Sequence, residues 1–412
     1  MVPKREGRLN GGKTSSAAAQ IKLQPSPATL SVTIKILCGN DGAPKNTFPK
    51  SSNANPDKPV FPVFQQSAPF SDDPSQPMNT PLTRRRFFAI AALTAAGATA
   101  PFLLNRNRPA PLPTTGEPVI WKGIALGSGA ELRLFGVDRK EAEILVNKVL
   151  AEVARLEKIF SLYREDSLIN RLNKEGRLNN PPPDFLALLS ICRDIHALTD
   201  GAFDPTVQVL WNLYADHFRR NPRAETPPSE PDIRRALKLV GFKHVVFDQK
   251  AILFEQKGMG LSLNGIAQGY ITDKVTALLQ QHGIRQALVD MGEIRGFDTD
   301  NQRTWNVGIR NPQNEEATLL TIPMQNQAFA TSGGYGTVMD EAGKFTHLFD
   351  PRTGTATPRY RSVSVMAPTA AVADAFSTAF SIMDEAAIRT AARAKEAKVW
   401  LVMPDNRIET LA

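Results

Sequence analysis

Asp374, Ser377 and Thr378 stand at i, i+3 and i+4 in the stretch ADAFSTAF, residues 373–380, between the apolar run SVSVMA and the segment SIMDEAAIRTAARA. If the stretch is a helix, the three oxygens share one face, and the apolar neighbours put that face in the core. A carboxylate there is costly unless something compensates it. Two readings stand open. Asp374 caps a helix that begins at Ala375, with Ser377 and Thr378 in its first turn. Alternatively the oxygens face a hard cation; Mg2+ takes one or two carboxylates together with phosphate oxygens.

Four other places concentrate Gly, Asp, Asn and His between apolar runs: TDGAFDPTV (199–207), LSLNGIAQGYITD (261–273), VDMGEIRG (289–296) and FATSGGYGTVMDEAGKFTHLFDPRTG (329–354). In the second, the Gly265 peptide falls at an expected strand-to-helix junction. Free amides there suit phosphate, or glycine merely permits the turn. In the last, His347 is expected on a strand THLFD that ends at Asp350-Pro351, where it is either structural or functional. The chain has two cysteines, Cys38 and Cys192, and no CxxC or Cys/His cluster, so any metal must use oxygen ligands.

The elements that must position these residues are legible in outline. VIWKGIALG and AELRLFGV read as a strand pair joined by GSG. A helix follows Asp138, an N-cap candidate, with Ile144, Val146, Leu150, Val153, Leu156 and Phe160 on its apolar face. Further helices are expected at 184–198, at 231–240 and from about Gly265 to His282. Strands are expected at HVVFD, AILFE, QALVDMG, TWNVGIR, TLLTIP, THLFD and SVSVM, and two helices and VWLVM close the chain. Strands come in runs rather than in strand-helix alternation. The predicted class is therefore α+β, mainly antiparallel sheet with packed helices.

Net charge is +8, but residues 1–87 hold twelve Lys/Arg against five Asp/Glu, and the remainder is close to neutral. A nucleic-acid role loses its support. Residues 1–77, rich in Pro, Ser, Asn, Gln and Lys, read as a disordered extension. Thr83-Arg84-Arg85-Arg86-Phe87-Phe88, followed by an Ala/Thr-rich apolar run, fits a twin-arginine signal peptide over 78–100, with Ala96-Gly97-Ala98 the better cleavage site. Because a signal should begin the protein, Met78 is expected as the true start. Residues 101–117 read as a Pro-rich linker and 118–412 as the functional domain.

In order along the chain, Gly127-Ser128, FSLYREDSLINRLN, DGAFDPTV, LNGIAQGY, TSGGYG with THLFDPRTG, and ADAFST resemble the ApbE family of FAD:protein FMN transferases, from about Ala125 to the C-terminus. The resemblance implies a T-fold-like architecture with FAD as substrate. It implies that Tyr163 stacks on the isoalloxazine ring, that Ala202, Phe203 and Asp204 contact the flavin, and that Leu126 stands where the family usually has a flavin-contacting Met. Asp374, Ser377 and Thr378 match its Mg2+ ligands, joined by the Gly265 carbonyl, with Asp374 and His347 in catalytic roles. Ser262 and Gln268 stand at FAD-facing positions where the family usually has Asp and Lys or Glu.

The implied reaction is attack of a client Thr or Ser hydroxyl on the FMN phosphorus with AMP leaving, His347 accepting the proton. Implied partners are a membrane-associated electron-transfer subunit and the twin-arginine translocase. The implied location is the periplasm, anchored to the inner membrane if the signal stays uncleaved. Two other activities fit the same motifs: a Mg2+-dependent FAD pyrophosphatase, and a periplasmic carrier that keeps FAD intact.

Overall fold

The computed structural model describes residues 22–23, 29–33, 116–125 and 128–411. The expected signal segment, most of the N-terminal extension and of the linker, and Leu126-Gly127 lie outside the described residues. Along the chain run β1 (Lys22–Leu23), β2 (Thr29–Thr33), β3 (Val119–Ala125), β4 (Ser128–Leu134), α1 (Arg139–Phe160), α2 (Leu168–Glu175), β5 (Arg177–Asn179) and α3 (Pro183–Leu198). Next come α4 (Gln208–Arg220), α5 (Glu230–Leu237), β6 (Val245–Phe247), β7 (Ala251–Phe254), α6 (Ala267–Gln281), β8 (Gln286–Asp290) and β9 (Ile294–Asp298). The remainder is β10 (Trp305–Asn311), β11 (Asn314–Met324), β12 (Ala328–Gly333), β13 (Ser362–Ala367), α7 (Ala370–Phe380), α8 (Glu385–Arg393), β14 (Lys398–Val402) and β15 (Ile408–Leu411).

The main sheet has the order β1-β2-β3-β4-β8-β9-β12-β13-β14-β15, and every pairing in it is antiparallel except β2 with β3. This is the α+β, mainly antiparallel class expected from the sequence. Period-two alternation sorts its side chains. In β14, Val399 and Leu401 enter the main core, whereas Trp400 and Val402 enter a second cluster on the opposite face. The main core lies between the sheet and α1, α3, α6 and α7. The hairpin β10–β11 contributes Trp305, Val307, Ile309, Ile322 and Met324 to the second cluster. A third cluster joins α4 to Phe345 and Phe349.

Helix α7 is buried nearly all round, the pattern of a helix inside a core. Phe376 and Phe380, one turn apart with ring centroids 4.6 Å apart, anchor it, each burial being worth roughly 1.5–3 kcal/mol. It begins earlier than the N-cap reading of Asp374 requires. Thr369 is the cap, its hydroxyl accepting from Val372 N at 3.4 Å, and the alanine-rich run before Asp374 is already helical because alanine is the best helix former. Asp374 therefore sits inside the helix and does not cap it.

The expected strand THLFD does not form either. Only one bridge, Val338 to Thr346, is made. The segment is held instead by burial of Phe345 and Phe349 against Leu210, Tyr214 and Phe218 of α4, and by Tyr214 Oη donating to Gly354 O at 2.9 Å.

Candidate active site

Helices α6 and α7 hold each other by exchanged carboxylates. The N-cap of α6, Ile266, has no capping side chain. The amide of Gly269 in its first turn donates instead to Asp374 Oδ2 of α7 at 3.0 Å. In return Asp273 of α6 accepts from Ala370 N and Ala371 N, the first amides of α7, at 2.9 and 3.0 Å. Each aspartate serves orphan amides at the positive end of the other helix. The crossing is tight enough that a Cβ on Gly269 would lie 2.2 Å from Ala370 O, so only glycine fits there. Arg295 of β9 is ion-paired to Asp273, which ties the helix pair to the sheet.

This crossing brings together residues far apart in sequence. A Cβ on Gly265 would lie 2.8 Å from Thr378 Oγ1, so the Gly265 turn abuts the α7 hydroxyl. Ser377 Oγ donates to Asp374 O at 2.9 Å, and Ser332, near the end of β12, lies 2.7 Å from Ser377 Oγ and 3.4 Å from Thr378 Oγ1. Of the four positions expected to act together, Gly265 abuts Thr378, and Asp374, Ser377 and Thr378 share helix α7, with the Asp374 carboxylate on the Gly269 amide.

The electrostatics of the convergence are unusual. Asp374 is 4% exposed, and burial pushes its carboxyl up to about 7, with the Asp273 carboxylate adding and the Gly269 amide opposing. Glu293, in the turn between β8 and β9, is raised well above the usual range by burial, then by the charges of Asp374 and Asp290. Among the described residues no lysine or arginine is ion-paired with Asp374, the nearby Arg295 being taken by Asp273. Nor, among them, does any group of three or more His, Cys, Asp and Glu side chains form a metal-holding cluster. What the site offers is one buried carboxylate, hydroxyls and backbone oxygen.

A second group of residues lines up through α2. Asn170 Nδ2 donates to Leu162 O and Arg164 O at 3.0 and 2.8 Å and so fixes the loop carrying Tyr163. Asn173 exchanges two hydrogen bonds, 2.7 and 2.9 Å, with the backbone of Leu261 and fixes the loop before α6. The two loops meet where Asn264 Nδ2 donates to the exposed Tyr163 hydroxyl at 3.2 Å. Ser262 N donates to Pro205 O at 2.7 Å, which adds the AFDPT segment.

Ala202, Phe203 and Asp204 are all buried. The Asp204 carboxylate is spent on the fold: it accepts from Thr206 N, Thr206 Oγ1 and Phe242 N at 2.8, 2.5 and 2.9 Å. Gln268 Nε2 donates to Ser128 Oγ at 2.9 Å and bridges α6 to β4. His347 Nδ1 lies 3.0 Å from Thr337 O; a carbonyl only accepts, so Nδ1 carries the proton and the lone pair of neutral imidazole is on Nε2. Leu126 lies outside the described residues.

Sequence reasoning missed Ser332, Glu293, Asp273, Asn170 and Asn173. The segments TSGG and MGE drew notice for their composition and SLINRLN through the resemblance, but nothing local shows that Ser332 meets residues 45 and 46 positions later.

A model of the ApbE family matches residues 126–401. A FAD:protein FMN transferase of Salmonella typhimurium is 30% identical over 322 residues, covering 74% of this chain and 91% of the relative. One from Escherichia coli is 28% identical over 303 residues, 70% of this chain and 85% of the relative. Among solved structures, the ApbE protein of Thermotoga maritima superposes with TM-score 0.64 at 27% identity, covering 71% of this chain and 96% of its own. The apo form of the flavinyl transferase ApbE of Pseudomonas stutzeri gives 0.61 at 26%, covering 71% and 94%.

Proposed function

The chain belongs to the ApbE family, and on that premise we propose that it transfers the FMN half of FAD to a threonine or serine hydroxyl of a client protein and releases AMP. Flavin transfer is the activity named for its curated relatives. The acceptor class follows from the family resemblance, and the Mg2+ dependence is carried by one observation: Asp374 is a buried mid-helix carboxylate that accepts a single amide and has no cationic partner among the described residues. A cation is what such a group lacks, and the donors beside it are hard oxygens. Asp374, Ser377, Thr378 and the Gly265 backbone would hold Mg2+, which when bound neutralises charge on the FAD pyrophosphate.

The residues of the chain do the rest by position. The exposed Tyr163 ring, its loop fixed by Asn170 and its hydroxyl bonded by Asn264, offers a flat face for the isoalloxazine. Phosphoryl transfer asks mainly for in-line placement and charge neutralisation. His347, with its Nδ1 proton on Thr337 O, presents Nε2 as the base for the client hydroxyl. The hydroxyl oxygen bonds to the FMN phosphorus, the bond to AMP breaks, and the proton passes to His347. Export by the twin-arginine route to the periplasm, and a client in membrane-associated electron transfer, belong to the same reading. The export route is supported by Thr83–Phe88 and the apolar run after it, the client class by the family resemblance alone.

Incubation with FAD, Mg2+ and a Thr/Ser-bearing client tests the reading. A flavin-fluorescent protein band that survives denaturation is the expected result. Accumulation of free FMN without that band means that water is the acceptor, and intact FAD retained in the presence of Mg2+ means a carrier.

A further inference from the structure

Hydroxyl protons are not seen, but their directions around Ser332 follow by counting. Each serine or threonine hydroxyl has one proton and two lone pairs. Ser377 Oγ spends its proton on the carbonyl oxygen of Asp374, 2.9 Å away, because a carbonyl cannot donate. In its 2.7 Å contact with Ser332 it must therefore accept, and Ser332 must donate. With that proton committed, Ser332 can only accept in its 3.4 Å contact with Thr378 Oγ1. The protons thus run one way, from Thr378 to Ser332 to Ser377 to the helix backbone, and none is left to turn toward a ligand.

We propose that Ser332 is a positioning residue that fixes the hydroxyl proton of Thr378, so that the Thr378 oxygen keeps its lone pairs available to a divalent cation. The inference rests on the metal reading of Asp374 and adds the residue that prepares its neighbour. Without Ser332, Thr378 loses the acceptor that holds its proton and Ser377 loses the donor that fills one of its lone pairs. The Thr378 hydroxyl then rotates among staggered positions, some of which point its proton at the cation, while the Ser377 proton stays on Asp374 O. Ser332 suits the task because the sheet holds it. It pairs with Val363 in the β12–β13 ladder, and its neighbour Thr331 is tied to Ser364 by a 2.8 Å hydroxyl contact.

Mn2+ is the probe, since its free aqueous signal in electron paramagnetic resonance falls as it binds. The purified full chain is titrated with Mn2+, alone and with FAD, as parent, Ser332→Ala and Ser332→Thr. Outer-shell partners of metal ligands are typically worth 10–100-fold in affinity. Ser332→Ala is therefore expected to weaken Mn2+ binding about tenfold and Ser332→Thr, which keeps the donor, to restore it to within about twofold. Metal-free melting temperatures should stay together. If Ser332→Ala fails to fold, Ser332→Cys, close in size but a poor donor, takes its place with the same expectation. Parent-like Mn2+ affinity in the Ala or Cys variant overturns the role of Ser332 and leaves the metal reading standing. A parent that binds no Mn2+ with or without FAD overturns both.

Discussion

Asp298 and Asp374 are both nearly closed to solvent, 1% and 4% exposed, Asp374 the deeper of the two, and the fold treats them in opposite ways. At the end of β9, Asp298 accepts from Asp300 N, Gln302 N, Arg303 N and Gln286 Nε2 at 2.9, 2.9, 2.7 and 3.0 Å. Burial alone would raise its carboxyl, but these donors outweigh it and hold the group below the usual carboxylate range. In α7, Asp374 accepts one amide, and burial leaves it at about 7. A carboxylate that shapes a loop is given every donor it can use. The other is left short beside three hydroxyls, a cost to stability that makes sense where a ligand completes the group.

The contrast breaks most directly at Asp374. Asp374→Asn keeps an oxygen for the Gly269 amide and removes only the charge. Flavin transfer should fall by about 10³-fold or more, since a metal supplies several kcal/mol of charge stabilisation. Metal-free stability should change by less than about 1 kcal/mol, measured as a urea midpoint beside a band-intensity assay. Transfer that survives at Mg2+ saturation would remove Asp374 from the chemistry.

Asp298→Ala should do the reverse. Leaving its donors unsatisfied in a site closed to water should cost about 3 kcal/mol in urea unfolding, while transfer by the folded fraction continues. His347→Gln sharpens the site side of the comparison. Loss of a general base costs about 10²-fold or more, and Mn2+ affinity should stay at the parent level because the residue is not among the metal-facing oxygens. A matching loss of metal affinity would move His347 from base to ligand support.

How far the sequence carries depends on whether a signal is local. The cost of Asp374 on an apolar helix is local, and so is the Asp138 cap of α1, whose side chain accepts from Glu141 N at 2.8 Å. The start of α7 stayed open between two readings because an aspartate before a helical run looks the same whether it caps its own helix or another. Only the α6–α7 crossing, 105 residues apart in the Gly269–Asp374 bond, tells them apart. The strands β9 and β12 escaped notice because IRGFD and AFATSG carry glycine and small polar residues at odds with strand propensity. Pairing with neighbours already in the sheet overrides that. Three of the donors to Asp298 are amides of its own turn, Asp300, Gln302 and Arg303, and only Gln286 comes from another strand.

The smallest effect expected is a pH dependence confined to Asp298. Its folded value lies below the unfolded one of about 3.9. Its contribution is therefore complete above about pH 4 and is lost as pH falls through the folded value. In Asp298→Asn the amide nitrogen must face backbone donors, so the variant should be less stable at neutral pH by about 1–2 kcal/mol. Urea midpoints of parent and variant, taken every half unit from pH 7 to 3, should keep a constant gap down to about pH 4 and converge below it, because protonation gives the parent carboxyl the same mismatch as the amide. A gap that stays constant to pH 3 would mean that the four donors hold an oxygen and not a charge, and Asp298 would then no longer be the charged counterpart of Asp374.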